Sequence, residues 1–310
     1  MENNLMTTPS NEELELIKRR KKEKTLDIIK KVVVYAFLTL VAIMSFLPFY
    51  WMIISSLKPE TEFRSSVPTF FPQTFQFENY GYVMDYNSGM FGTMLINTIV
   101  VGLFSTFIGV VITIITAYAF AKMEFKGKEL IFSLLLATMM IPGELYTTTN
   151  YITVGKNGLD WNNTYVVLII PFLVSVYYIF LLRNNFKQIP DTLYKAAKVD
   201  GTSEVGFLVK VMIPLTAPTL ISITLLKFIG TWNSYIWPRL VNKKESWRLI
   251  SNWMQTGFTD PKGQLGVAFS ESMSTLKMAA ACMVSLPLFV LFIFFRKYIM
   301  RGVSRSGTKG

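Results

Sequence analysis

Ile189-Pro190-Asp191-Thr192-Leu193-Tyr194-Lys195-Ala196-Ala197-Lys198-Val199-Asp200-Gly201-Thr202-Ser203-Glu204-Val205-Gly206-Phe207 is a polar interval that continues through Val211-Met212-Ile213-Pro214. It separates two apolar runs. One is Tyr165–Leu182, bounded by Asp160 and Arg183, and the other extends from about Leu215 to Trp237. A helix crossing roughly 30 Å of hydrocarbon needs about 20 predominantly apolar residues, so both runs read as membrane spans and the interval as their loop.

Within the loop, Pro190 and Asp191 open a helix, placing a proline and an acid at its positive end. Leu193, Ala196, Ala197 and Gly201 recur at helical spacing and make a face of small residues. Gly201 follows Asp200 and can stop the helix in the left-handed conformation. Thr202 or Ser203 can cap a second helix, with Glu204 in its first turn. The product is a short helix, a sharp turn and a second helix entering the membrane. Such an element can transmit force between an attached cytoplasmic body and a helical bundle. It can equally be a surface helix that merely connects two spans.

The rest of the chain agrees with a membrane setting. It has 310 residues, 51% of them hydrophobic and only 16% charged, against about a quarter charged in a soluble domain. Residues 32–57 form an uncharged first span after the basic run Lys18, Arg19, Arg20, Lys21, Lys22, Lys24. This run is too long for a signal-peptide core of about 7–15 residues, and no small-residue cleavage site follows it. A second span sits within Leu95–Ala121. A third starts at Leu130 and meets Pro142, Gly143 and Glu144, so it continues as a kinked or partly exposed helix. The sixth spans about Lys277–Phe295. The expectation is an all-α integral membrane protein with six transmembrane helices. It has a basic tail at 1–31, a membrane domain at 32–295 with the loop at 190–213, and a second tail at 296–310.

The net charge of +11 comes from 31 Lys and Arg against 20 Asp and Glu. With the N-terminus inside, the inner segments hold 21 Lys and Arg and the outer ones 8. The bias places both termini in the cytoplasm and accounts for the charge without nucleic acid. The outer segment Arg239–Leu265, with Lys243, Lys244, Arg248 and Trp253, can reach an external protein, or it can be a solvated loop against lipid headgroups. Phe70, Phe71, Phe75 and Phe77 fall in an irregular first outer loop packed on the outer surface.

Chemistry is scarce. One cysteine and no histidine exclude a disulfide framework, a thiolate–imidazole metal site and a His-dependent triad within this chain. No phosphate-binding loop, HExxH or GxSxG occurs. No catalytic, cofactor or metal residues are assigned. An ion-coupled secondary transporter would need an ionisable group in a span. Glu144, Lys227 and Lys277 are the candidates, and both lysines fit equally well as side chains that snorkel or pair near helix ends.

The loop resembles the "EAA" loop in membrane subunits of binding-protein-dependent ABC importers. That pattern is Glu-Ala-Ala, three residues, Gly, nine residues, Ile, one residue, Leu-Pro. Ala196, Ala197, Gly201 and Pro214 match it, with Val211 and Ile213 in the two aliphatic places, and Asp200 before Gly201 is the form usual in sugar importers. Trp232-Asn233 with Trp237-Pro238, Phe49-Tyr50-Trp51 before Ser56-Leu57-Lys58, and the terminal Gly307-Thr308-Lys309-Gly310 resemble the carbohydrate branch. In outline the chain is similar to the smaller, six-span membrane subunit of the maltose-type transporter. One departure is a charge reversal: Lys195 stands where the family has glutamate.

The resemblance implies a type I importer permease fold and a subunit that couples transport to ATP hydrolysis it does not perform. ATP and Mg would be bound by two cytoplasmic ATPase subunits. A second homologous permease subunit would complete the path, and an extracellular sugar-binding protein would deliver cargo. Tyr194, Lys195, Ala196, Ala197, Asp200, Gly201 and Gly206 would make the ATPase contact. For a sugar path, stacking aromatics and amides at plausible depth are Asn97, Glu144, Asn150, Trp232, Asn233 and Tyr235, although each is also the kind of residue that bonds between helices. A sugar phosphate or polyol cargo, or a secondary transporter, are the alternatives.

Overall fold

The computed structural model describes residues 11–254, Phe258 and residues 273–304. Residues 1–10 of the first tail, most of the far end of the 239–265 segment and the terminal Gly307–Gly310 lie outside the described residues.

Helices account for most of the described chain: α1 (Asn11–Ser56), α2 (Glu60–Phe63), α3 (Glu78–Lys122), α4 (Lys128–Thr138), α5 (Glu144–Val154), α6 (Tyr165–Ile169), α7 (Val176–Lys187), α8 (Asp191–Val199), α9 (Glu204–Phe207), α10 (Ile213–Leu215), α11 (Ala217–Trp232), α12 (Ile236–Val241), α13 (Ile250–Trp253) and α14 (Ser274–Ser304). The described part of the basic tail, from Asn11, is helical and runs without a break into the first span.

Among the described residues, three helices are long and apolar enough to cross a bilayer as they stand: Arg19–Ser56, Gly89–Lys122 and Ser274–Tyr298. Two bent helix pairs are long and apolar enough to cross when each is taken as one span. Tyr165–Phe172 meets Val176–Lys187 at 47°, and Glu204–Leu215 meets Ala217–Trp232 at 83°. The third expected span is split into α4 and α5, each of 11 residues, by the turn at 139–143. Pro142 lies in that break, where its missing N–H and ring disfavour a continuous helix.

The 45-residue α3 is the hub, packing against α7, α11, α14 and α13. α1 packs along α14, where Phe49 meets Phe289 edge-on at 5.7 Å, while residues 19–49 stay exposed. An apolar helix with no buried face is what lipid or another subunit would cover.

Three apolar clusters stack along α3. The inner one joins Tyr118, Phe186, Phe207, Met212 and Ile223. The middle one holds Val101, Val167 and Trp237. The outer one gathers Met94, Trp232, Ile250, Trp253 and Phe258.

The outer surface is tied by one buried acid. Glu60 accepts from the backbone amides of Ser274 (3.0 Å) and Thr275 (2.8 Å) and from the Thr275 hydroxyl (2.8 Å), and it pairs with Arg64 at 2.8 Å. It thus caps the first turn of α14 from a segment more than two hundred residues away, satisfying amides with no intrahelical partner. Burial acts to raise the Glu60 pKa, but the bonds from Thr275, Ser274 and Arg64 prevail and hold it below the ordinary value. In the same loop, Phe70 and Phe71 meet Trp51 and Tyr50 of α1 edge-on, each at 6.2 Å, and Phe75 stacks on Phe77 at 5.9 Å, while all four rings keep most of their surface exposed.

Candidate functional site

The loop at 190–213 folds as a helix, a left-handed turn and a second helix. Gly201 has φ +69°, and α8 ends in a Schellman turn: the Thr202 amide donates to Ala197 O at 2.9 Å and the Gly201 amide to Lys198 O at 3.1 Å. Both bonds satisfy carbonyls left open at the helix end. A Cβ at Gly201 would meet nothing within 4 Å, so glycine is favoured there by backbone conformation, not by space. Ser203 caps α9, its Oγ accepting from the Gly206 amide at 3.1 Å.

The turn is tied to the bundle through Glu204. Its carboxylate accepts from the Tyr194 hydroxyl (2.6 Å) and pairs with Lys198 (2.6 Å), both on α8. It also accepts from the Tyr118 hydroxyl on α3. Lys198 is held above its ordinary pKa chiefly by its bond to that carboxylate, and the same acid raises Tyr194. Lys122, at the end of α3, donates to Ile189 O (2.9 Å) and to Asp191 (2.6 Å), and holds Asp191 below its usual value. Arg183 is buried. It donates to Phe120 O at 3.1 Å, forks onto both Glu129 oxygens at 2.8 and 2.9 Å, and lies 3.7 Å from the Phe132 ring centre. The inner end of the bundle is therefore a small number of charge-assisted ties around an apolar cluster.

From α9 the chain passes into a π-helical segment, Leu208–Met212, before the 83° bend. Such segments recur where function needs an irregular helix. Phe207 and Met212 are buried in the inner cluster, and the Tyr194 ring meets Phe207 at 5.2 Å. α8 is thus joined to the span through packed rings and to α3 through a shared acid.

The residues expected at the ATPase contact fall together on this element. Lys195, Ala196, Asp200 and Gly201 are exposed, whereas Tyr194, Ala197 and Gly206 are half-buried. Leu193, Val199 and Val205 are exposed beside them, Val199 at 88%. The structure adds Glu204, Tyr118 and Lys122. Glu204 stood in the quoted loop, but nothing in its spacing revealed that a tyrosine on another span would share it.

The six expected sugar-path residues do not converge. Asn97 is buried and fully used: it donates to Ser246 O (2.8 Å) and Arg248 O (3.1 Å) and accepts from Tyr165 (2.7 Å). Trp232 is buried in the outer cluster, its ring tilted 38° to that of Phe228 at 5.9 Å. Asn233 is exposed at the end of α11, and Tyr235 bonds Arg239. Glu144 is exposed and Asn150 half-buried on α5.

A cavity of about 330 Å³ lies instead where both bent spans pass each other. Its polar lining is Ser105, Ser175, Tyr178, Lys227, Thr231 and Ser234. Lys227 does not snorkel. It is buried and donates to Phe172 O at 2.9 Å and Leu173 O at 3.1 Å, carbonyls released by the break in the other span. Gly109 on α3 makes this possible, since a Cβ there would collide with Lys227 Cε and lie 2.8 Å from Leu173 O. The sequence signal was a lysine inside an apolar run; its partner was not legible. Among the described residues no group of His, Cys, Asp and Glu could hold a metal.

Comparison with known proteins places the chain among transport subunits. Residues 109–305 match the family described as binding-protein-dependent transport system inner membrane component. The arabinooligosaccharides transport system permease protein AraQ of Halalkalibacterium halodurans is 30% identical over 89% of this chain and 94% of its own length. The trehalose/maltose transport system permease protein MalG of Thermococcus litoralis is 29% identical over 92% and 99%. A chain of a bacterial ABC transporter involved in import of the acidic polysaccharide alginate shares the fold, with TM-score 0.75 at 24% identity, covering 88% of this chain and 97% of that one.

Proposed function

The chain belongs to the family of binding-protein-dependent transport system inner membrane components, and from that membership we propose that it is a membrane subunit of an ATP-driven sugar importer, forming half of the sugar path and coupling it to a cytoplasmic ATPase. The sugar assignment is supported by relatives named for arabinooligosaccharide and trehalose/maltose transport, each matched over nearly its whole length. Delivery by an external binding protein is supported by the fold's occurrence in an alginate transporter in complex with a saccharide-bound periplasmic protein, at TM-score 0.60.

The observation that carries the coupling role is the 190–213 element. It is tied to α3 and to its own span, yet it presents Ala196, Val199 and Val205 outward. An apolar face on an anchored helix suits insertion into a cleft on a partner. In this reading two such subunits enclose the path, each docks its loop on one of two ATPase subunits carrying ATP and Mg, and nucleotide-driven closure rocks the bent spans. Both termini lie in the cytoplasm. Lys195 sits on the exposed side of α8, where an acid on the partner ATPase would answer it.

The test is Gly201→Asp. Asp tolerates the left-handed conformation at a cost of about 1 kcal/mol, and space is open, so the variant should insert and assemble. It should lose uptake, or hydrolyse ATP without uptake, because a charge enters the docking face. Normal uptake would contradict the coupling role.

A further inference from the structure

A lysine inside a membrane span marks a site by default, because an unanswered charge there is costly. Lys227 has three N–H groups, and Phe172 O and Leu173 O take two of them. These carbonyls end a short helix and carry its partial negative charge, about half a unit. No aspartate or glutamate lines the cavity beside it, so the positive charge is only partly answered. Four hydroxyls around the same cavity, those of Ser105, Ser175, Tyr178 and Ser234, make no hydrogen bond among the described residues. None of the four oxygens is sealed from solvent, so each is open to a molecule that enters the cavity. Phe172 and Val174, also in the lining, are exposed at 45% and 60%, so the cavity opens to the surface of the chain. Lys227 lies five residues before Trp232 at the outer end of α11, which is about 7 Å along the axis at 1.5 Å per residue. The cavity thus lies beside the break of the first bent span at 172–176, about 16 Å along α11 from the Thr216 bend of the second at 1.5 Å per residue.

We propose that this cavity is a binding site for a saccharide bearing a carboxylate, with the carboxylate on Lys227 and the sugar hydroxyls on Ser105, Ser175, Tyr178 and Ser234. The ring faces of Phe172 and Tyr178 supply the flat apolar contact that sugars use. The carboxylate completes the third bond of Lys227 and cancels its charge, which makes the pair far less costly at this depth than either partner alone. A neutral sugar offers only hydroxyls and leaves the charge unanswered. The cavity therefore selects for acidic cargo. This deepens the reading of the chain as a sugar importer subunit and rests on it.

The test uses the complete importer in lipid with its binding protein, supplied with a tri-galacturonate and with a neutral galactose trimer. In the unaltered complex the acidic trimer should be taken up and stimulate ATP hydrolysis. Lys227→Met should lower uptake of the acidic trimer relative to the neutral one by about tenfold or more, the size of a lost charge-assisted bond, and Lys227→Arg should restore much of that ratio. The paired variant Ser175→Ala with Ser234→Ala leaves the lysine in place and should raise the KM for the acidic trimer. Uptake of the neutral trimer alone by the unaltered complex, equal loss of both cargoes in Lys227→Met, or an unchanged KM in the paired serine variant would each overturn the proposal while leaving the importer reading intact. Failure of both saccharides to stimulate ATP hydrolysis or enter would overturn the importer reading as well.

Discussion

The two ends of the bundle are built differently. At the outer end, Trp232, Ile250, Trp253 and Phe258 form a buried aromatic cluster, and amides such as Asn97 and Asn242 are spent on the backbone of the chain that covers it. At the inner end a few charged ties, from Lys122 and Glu204, hold a helix whose outer face stays open, and Arg183 joins α7 to α3 and α4 beside it. The outer end behaves as a lid whose energy lies in packing. The inner end, in the proposed reading a lever, is tied to the bundle yet not enclosed. Packing energy is forfeited when surfaces separate, whereas a short tie keeps its direction while the element it holds moves as a unit. Hence mutations at the outer end should act on stability and those at the inner end on coupling.

The largest effect belongs to Trp253, whose ring lies 4.8 Å from Phe258 and 5.2 Å from Phe91. Trp253→Ala should destabilise the outer cluster by about 3–5 kcal/mol, read as a lower unfolding temperature of the purified complex. If its unfolding is unchanged while ATP coupling fails, the division of labour is wrong.

Next is Glu204→Ala. The carboxylate is 38% exposed on its side chain, so stability should fall by only about 1 kcal/mol. Uptake per ATP hydrolysed should fall about fivefold or more, the scale of a typical coupling energy, because Tyr194 and Tyr118 no longer share an acid. A tight stoichiometry with normal uptake would show that the ties merely decorate the lever.

Glu60 gives a prediction in pH. Its pKa is lowered in the folded chain, so its contribution is full above the ordinary glutamate value and is lost as pH falls through the folded one. Unfolding temperature should therefore drop on acidification below about pH 4.5, the ordinary value for glutamate. Glu60→Gln should lose about 1 kcal/mol at neutral pH, as for a lost helix cap, and should flatten that acid slope. A variant with the same slope as the parent would remove Glu60 from the account.

The smallest stability effect is Lys195→Glu. This exposed change should stay within about 0.5 kcal/mol, yet it restores the acid of the resembled loop. Assembly with the chain's own ATPase should weaken if that partner carries an acid opposite. Tighter assembly would show that Lys195 has no such partner.

Much of the inner end was legible in the sequence because its signals are local. Asp200-Gly201 announced the left-handed turn, and Thr202-Ser203 announced a cap, which the structure gives to Ser203. Long apolar runs announced the straight spans α1, α3 and α14. The bends were less legible: Pro171, Pro214 and Pro218 flank them, but nothing in the local sequence sets an angle of 83°. The sugar-path residues failed to converge for a related reason. Asn97 has the chemistry of a sugar contact, yet its donors serve the backbone of residues 246 and 248, which are distant in sequence. Lys227 was visible as a charge in a span, but the two carbonyls that receive it exist only because another helix is broken beside it.

The central claim is that the 190–213 element is a cytoplasmic lever gripped by an ATPase. A photo-crosslinking amino acid placed at Val199, which is 88% exposed, tests it in the assembled importer in its native membrane. The account predicts a crosslink to the ATPase subunit whose yield changes when ATP is bound and when it is hydrolysed. A crosslink to the external binding protein, or to lipid alone in an importer that is transporting normally, would contradict it.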